Sequence, residues 1–433
     1  MAKKMLKFIE ESPTAFQAVE NIRDLLVKEG FEVLQENQPY TVKKGGKYVI
    51  TRNGTSVLAF KIGTDLSDPS IMMAASHTDC PSFKIKPNGV ISSEHYAKLN
   101  TEVYGGALYT PWLDRPLSIA GRVIVKEDGK ICSKPFNLKK NFCVIPSVAP
   151  HMNREANNGY KMNPQIDLLP LVASSKDFSL KKYIASELGI PEEELLNYDL
   201  YLYPRGEGFI FGPEGEYLCS HHLDNLECAY TSLMAFIQGY NEKNINVYAS
   251  FDNEEVGSLT RQGAASDFLN VNIDRICQAL GLNMLDVLGN SMSLSCDNAH
   301  ASHPNHPEND DPTNHTYMNK GIVIKYNANQ SYTSDGLSSA IFASLLEKEE
   351  IPYQYFTNRS DKRGGGTLGN ISNGQVSVLS VDIGLPQLAM HSPLETAGVQ
   401  DVDTMIRGIT AFYNTHLHLT EDGSYEVETD RKE

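Results

Sequence analysis

The run Asp252-Asn253-Glu254-Glu255-Val256-Gly257 follows five residues of strand character, 247–251. Successive side chains on an extended segment alternate in direction, so the two glutamates at its end point apart. One can ligate a cation while its neighbour handles a proton. Hydrolysis of an unactivated amide needs both: a cation that lowers the pKa of water and polarises the carbonyl, and a carboxylate that takes the proton. Taken alone, such a pair is also what a solvated loop would carry. His77 and Asp79 stand two apart after a strand-like run over 71–75. They face one side there, which suits a metal-bound imidazole whose other ring nitrogen is held by the carboxylate. Asp224, in SHHLDN, precedes an apolar helical pattern, where an aspartate is equally an N-cap. Asp297 opens DNAHASHPNHPE after a strand-like run, with His300, His303 and His306 close behind. All four on one ion would be poor geometry. His391 and Glu395 lie in LPQLAMHSPLET, after a further strand-like run over 376–383.

The elements that must position these residues alternate between strand and helix at both ends of the chain. Ser12-Pro13 reads as an N-cap with proline at the first helical turn, and Phe16, Val19, Ile22, Leu25 and Leu26 follow at helical spacing. Between 87 and 217 the texture changes to short strand-like pieces, 107–109 and 117–125 among them, punctuated by turns, with one helix over 179–187 and another starting at Pro191. This block reads as a β-rich insert in an α/β domain made of 1–86 and 218–433. A helix over 402–413 closes that domain, and the charged tail beyond Thr420 is expected to fray. In a parallel α/β sheet functional groups gather at the C-terminal strand ends. His77, Glu254 with Glu255, and Asp297 each follow a strand-like run, and Asp224 and His391 sit in turns nearby. Two imidazoles with three or four carboxylates and no cysteine suit zinc, cobalt or manganese, and a bridging carboxylate would allow a pair of ions.

Composition narrows the partners. At 433 residues the chain can bury a large core, and its formal charge of −16 argues against nucleic acid or an anionic membrane as partner. No segment is long and apolar enough to span a bilayer, and the N-terminus lacks a signal-peptide core, so a cytoplasmic location is expected. Seven scattered cysteines without Cys-x-x-Cys pairs read as reduced thiols. Neither HExxH nor GxSxG occurs, and Gly364-Gly365-Gly366 lacks the Lys-Ser/Thr of a phosphate loop.

In order along the chain, SHTDCPSFKIKP, TEVYGGALYTPWLDRPLSIAGRV, HLDN, FDNEEVGS, DNAHASHPN and PQLAMHSPLET resemble the aspartyl aminopeptidase family of dinuclear zinc exopeptidases, as a bacterial member. The resemblance implies a zinc-exopeptidase-like α/β/α catalytic domain with a mixed sheet, interrupted by a β-rich dimerisation domain, and a homo-dodecamer built from dimers. It implies one ion on His77, Asp224 and Asp297 and another on Asp224, Glu255 and His391. Glu254 would be the general base, and Asp79 would orient His77. His151, a loop histidine in APHMNRE, corresponds to one that reaches a neighbouring subunit's site. Lys325 corresponds to a lysine that binds the acidic side chain of the substrate. The implied reaction removes N-terminal residues from peptides, with preference for Asp or Glu.

Two positions depart from the pattern: Ser331 stands where acidic-preferring members carry arginine, and Asn370 stands where the glycine-rich loop carries proline. Losing one positive charge makes neutral or broad P1 preference the competing expectation. The other rivals are a deacylase or carboxypeptidase on the same metals and a non-catalytic assembly or cargo protein. Retention of every ligand argues against the last.

Overall fold

The computed structural model describes residues 1–429. Its centre is a nine-stranded mixed sheet. Four neighbouring strands, Asn244–Phe251, Ser70–His77, Met292–Cys296 and Leu379–Gly384, run parallel. Ser56–Ile62 flanks them antiparallel on one side and pairs antiparallel in turn with Lys47–Arg52, and Ile322–Tyr326 pairs antiparallel with Leu379–Gly384 on the other. Ser56–Ile62, Ser70–His77 and Asn244–Phe251 are buried along their whole lengths, as strands covered on both faces must be.

The period of two sorts their side chains into two cores. Val57, Ala59, Met72, Ala74 and Tyr248 face helices Ala2–Glu11, Ala15–Lys28, Leu223–Gln238, Gly336–Lys348 and Val399–Tyr413. Leu58, Phe60, Ile71, Met73, Val247 and Ala249 face helices Phe268–Ala279 and Met284–Gly289. The chain is therefore an α/β protein with helices on both faces of a mixed sheet. Helix Ala2–Glu11 was not expected, although Met5, Leu6, Phe8 and Ile9 bury one face at helical spacing.

A six-stranded antiparallel sheet, built from strands between Ser82 and Pro204, holds a third core around Trp112, Phe83 and Ile119. The expected block of 87–217 differs from it at both edges. Strand Ser82–Ser92 already belongs to this sheet, whereas Phe209–Phe211 pairs with Tyr217–Ser220 in a separate five-stranded sheet.

Four local expectations are corrected. The N-cap of the second helix is Thr14, not Ser12. Residues 107–109 form no strand, because the backbone there turns to meet His391 instead. The turn Glu192–Glu194 does not grow into a helix; the chain enters strand Leu195–Pro204 directly. The tail is not frayed through Thr429: Tyr425–Thr429 folds back on Thr415–Leu419, and Gly423 (φ +83°) supplies the left-handed turn residue. Residues 430–433 of the expected frayed tail lie outside the described residues. Among the described residues no helix is long and apolar enough to cross a membrane.

Candidate metal centre

The parallel register delivers the ligating groups. His77 ends its strand opposite Phe251. From Phe251 the chain passes Asp252 and then Asn253, whose φ of 63° turns it into the short helical turn Glu254–Val256. Asparagine tolerates that left-handed conformation because its side chain can bond locally. Asp297 directly follows strand Met292–Cys296. Asp224 is not the N-cap of its helix. That position is His222, and Asp224 itself has non-helical backbone angles (φ −81°, ψ 106°). His391 is held at φ 69° in the turn between strands Pro386–Leu388 and Glu395–Gly398.

These residues meet. His77 Nε2 lies 3.6 Å from Asp224 Oδ1, 3.8 Å from Asp297 Oδ1 and 3.8 Å from Glu254 Oε2. His391 Nε2 lies 3.3 Å from Asp224 Oδ2 and 3.6 Å from Glu255 Oε2. Most of these separations are long for hydrogen bonds and lie at or somewhat beyond the edge of a zinc tetrahedron, about 3.3 Å for bonds near 2.0–2.1 Å. Three groups of compact donors result: His77 with Asp224 and Asp297, Asp224 with Glu255 and His391, and His77 with Glu254 and Glu255. Asp224 Oδ1 and Glu255 Oε1 are buried without a hydrogen-bond partner. Among the described residues no Lys or Arg nitrogen pairs with these carboxylates. Several buried carboxylates faced by only two imidazoles, with oxygens that accept no hydrogen bond, are unfavourable unless a metal neutralises them. The donor set therefore fits zinc.

The charge balance of the metal-free cluster follows. Burial, with Asp297, Asp79 and Asp224 nearby, pushes the Glu254 carboxyl up to about 8 despite the opposing pull of His77. Burial, opposed by Asp224 and Glu255, leaves the His391 imidazole raised to about 10. Burial also acts on Asp224, but His391 and His77 more than offset it and hold its pKa below the ordinary value. The upward shifts of Glu254, Glu255, His77 and His391 all favour protons in the metal-free cluster, which zinc must displace or repel. Zinc uptake should release protons, and zinc affinity should fall as pH falls. Calorimetry in buffers of different ionisation enthalpy reads this directly. Uptake without proton release would contradict the protonation scheme.

Groups behind the ligands hold them in place. His77 Nδ1 is 3.0 Å from the Asp79 carbonyl and 3.4 Å from its Oδ1. The Asp79 carboxylate also accepts the Glu254 N–H at 3.0 Å, the Glu255 N–H at 3.1 Å and the Tyr104 hydroxyl at 2.7 Å. It therefore orients three cluster residues, of which the His-x-Asp spacing indicated only one. Glu395 is 1% exposed and accepts the Asp224 N–H on one oxygen (3.0 Å) and the His391 N–H on the other (2.7 Å). Its position four residues after His391 was the only sequence signal for it. Gly105 and Gly106 were unassigned. His391 Nδ1 is 3.0 Å from the Gly106 carbonyl, and a Cβ on Gly106 would sit 3.2 Å from that nitrogen. A Cβ on Gly105, which has φ +72°, would sit 3.0 Å from the Glu255 Cβ.

The remaining candidates lie elsewhere. Lys325 is buried, and its ammonium donates to the carbonyls of Asp297 (2.7 Å) and Asn298 (3.3 Å). Burial disfavours its charge, but Asp297, Tyr332 and Asp382 more than offset that and raise its pKa. His151 is exposed in a turn. His300, His303 and His306 join none of the ligand groups; His303 and His306 pack on one another at 5.2 Å. Ser331 lies in a bend beside helix Leu368–Asn373, whose Asn370 amide donates to the Gln330 carbonyl at 3.3 Å.

A profile of the family described as aminopeptidase I zinc metalloprotease (M18) matches residues 8–413. A probable M18 family aminopeptidase 2 of Clostridium novyi is 44% identical over 425 residues, covering 95% of this chain and 98% of that protein. Its counterpart from Clostridium acetobutylicum is 42% identical over the same shares. Among solved structures, Ape4 in complex with Nbr1 superposes with a TM-score of 0.92 at 30% identity, covering 95% of this chain and 85% of that one. The mApe1 dodecamer of S. cerevisiae superposes with a TM-score of 0.84 at 28% identity, covering 95% and 96%. With a cluster of candidate metal ligands on an α/β fold, this chain belongs to the M18 family of zinc metalloaminopeptidases.

Proposed function

We propose that the protein is a dinuclear zinc aminopeptidase that releases single residues from the free N-terminus of peptides. The observation that carries this reading is the sharing of Asp224 by two ligand triads, both complete without Glu254. His77, Asp224 and Asp297 would hold one zinc, and Asp224, Glu255 and His391 the other. Bound zinc there supplies a Lewis acid that polarises a peptide carbonyl and makes water more acidic. Glu254 takes the proton of the attacking water and returns it to the leaving amine. Asp79 fixes the His77 ring and the backbone that presents Glu254. His151 of a neighbouring subunit is assigned to the oxyanion, in a homo-dodecamer built from dimers through the six-stranded sheet. A solution mass of twelve 48.0 kDa chains is expected, and a stable monomer would overturn the assembly and the His151 role together.

For the first residue of the substrate, neutral or broad preference is favoured over Asp and Glu. The Lys325 ammonium is already engaged by two backbone carbonyls, and Ser331 adds no charge. Initial rates on aminoacyl chromogenic substrates with added zinc test the whole reading. Leu and Ala should exceed Asp and Glu by about tenfold, the value of one missing charge-assisted hydrogen bond. Faster release of Asp and Glu would mean that Lys325 suffices. No zinc-dependent release from any substrate would overturn the aminopeptidase.

A further inference from the structure

A cavity of about 640 Å³ lies between the domain of the nine-stranded sheet and the six-stranded sheet. Its walls come from the start of the second helix, the 53–55 turn and the 252–262 loop on one side, and from Lys84, Tyr104, Arg122, Asp199 and Tyr201 on the other. None of His77, Asp224, Glu254, Glu255, Asp297 or His391 lines it.

One corner is built for an anion. The Arg122 and Arg261 guanidiniums converge on the same neutral acceptor, Asn53 Oδ1, at 3.1 and 2.9 Å. Lys84 and Arg122 share the single carboxylate of Asp199, at 2.9 and 2.8 Å. Two cations thus share one carboxylate and a third, Arg261, faces only a neutral acceptor, in a chain whose overall charge is −16. Arg122 Nη2 and the Nε and Nη1 of Arg261 have no hydrogen-bond partner among the described residues. Elsewhere the same cavity is lined by the Asp79 and Asp252 carboxylates and by His222. His222 is 6% exposed, and both its ring nitrogens lack partners. A buried imidazole with two empty positions calls for a polar occupant.

We propose that this cavity binds a free α-amino acid as its zwitterion, at a site separate from the metal centre. The arginine corner suits a carboxylate, which a guanidinium fork grips in two places. The Asp252 carboxylate on the wall suits an ammonium and opposes a multiply charged phosphate. Phe16, Tyr104 and Tyr201 leave an apolar surface for the side chain. Occupancy reaches the metal centre through Tyr104, which lines the cavity and donates to Asp79. The ligand belongs to the class of product that the proposed reaction releases, so the site would sense product.

Binding is tested by calorimetry on zinc-loaded protein whose metal centre is saturated with an N-blocked hydroxamate. L-Leucine should still bind, once per chain. Arg261→Ala, on an exposed loop, and Arg122→Gln should each weaken it tenfold or more. N-acetyl-leucine should bind at least tenfold more weakly, and inorganic phosphate should not displace leucine. No leucine binding, or unchanged affinity in both variants, would overturn the site. Equal binding of N-acetyl-leucine, or displacement by phosphate, would reduce it to a simple anion site and overturn the zwitterion. None of these readings requires turnover, so an inactive peptidase leaves them intact. In rate measurements leucine should lower kcat. Purely competitive inhibition would remove the link to the metal centre.

Discussion

Replacing Glu254 by Gln should lower kcat by about 10²- to 10⁴-fold, the range for loss of a positioned general base, while zinc content stays at the wild-type level. His77, Asp224, Asp297, Glu255 and His391 complete two triads without Glu254. Its carboxylate nevertheless stays at the cluster, 3.8 Å from His77 Nε2, because Asp79 anchors its backbone N–H. The amide of Gln keeps that shape but cannot accept a proton. The structure also offers a competing role, since His77, Glu254 and Glu255 form a third compact group. If Glu254 were a ligand in that group, the substitution would cost zinc as well as rate. Zinc analysis beside kcat therefore separates base from ligand, and a variant that keeps most of its activity would refute both.

Asp224→Asn should remove both metals, a larger loss than any other single ligand change. Asp224 offers Oδ1 toward His77 and Oδ2 toward His391, so one side chain serves both triads. Its two imidazole neighbours already favour the ionised form over burial. A neutral amide offers one oxygen and no charge, too little to hold two cations among buried carboxylates. The Glu395 contact is to the backbone N–H and survives the change, so the local fold should persist. Zinc per chain after dialysis should fall to near none, against about one in His391→Ala, and activity should fall below detection. Retention of two zinc ions by the Asn variant would rule out a bridging role.

Much of the centre was legible because strand ends announce themselves. Apolar runs break into polar residues after His77, Phe251 and Cys296, and a parallel sheet brings such breaks to one edge. What escaped was carried by contacts with no sequence period. Glu395 acts through the backbone N–H groups of residues 171 and 4 positions away. Tyr104 reaches Asp79 across the junction of the two lobes. The spacing left Asp224 open between N-cap and ligand, because both roles favour an aspartate ahead of a helix. The edges of the inserted sheet were misplaced by several residues, since short strands look alike whichever sheet they join. The hairpin near the C-terminus was hidden by its charge, although Asp422-Gly423 is a turn signal. Helix Ala2–Glu11 was equally readable, from Met5, Leu6, Phe8 and Ile9.

The most direct test of the central claim compares one peptide with a free and an acetylated N-terminus, with zinc-loaded and chelator-treated protein. The account predicts stepwise release of single residues from the free peptide, none from the acetylated one, and loss of both zinc and release on chelation. Equal cleavage of the acetylated peptide, or release that survives complete zinc removal, would contradict it.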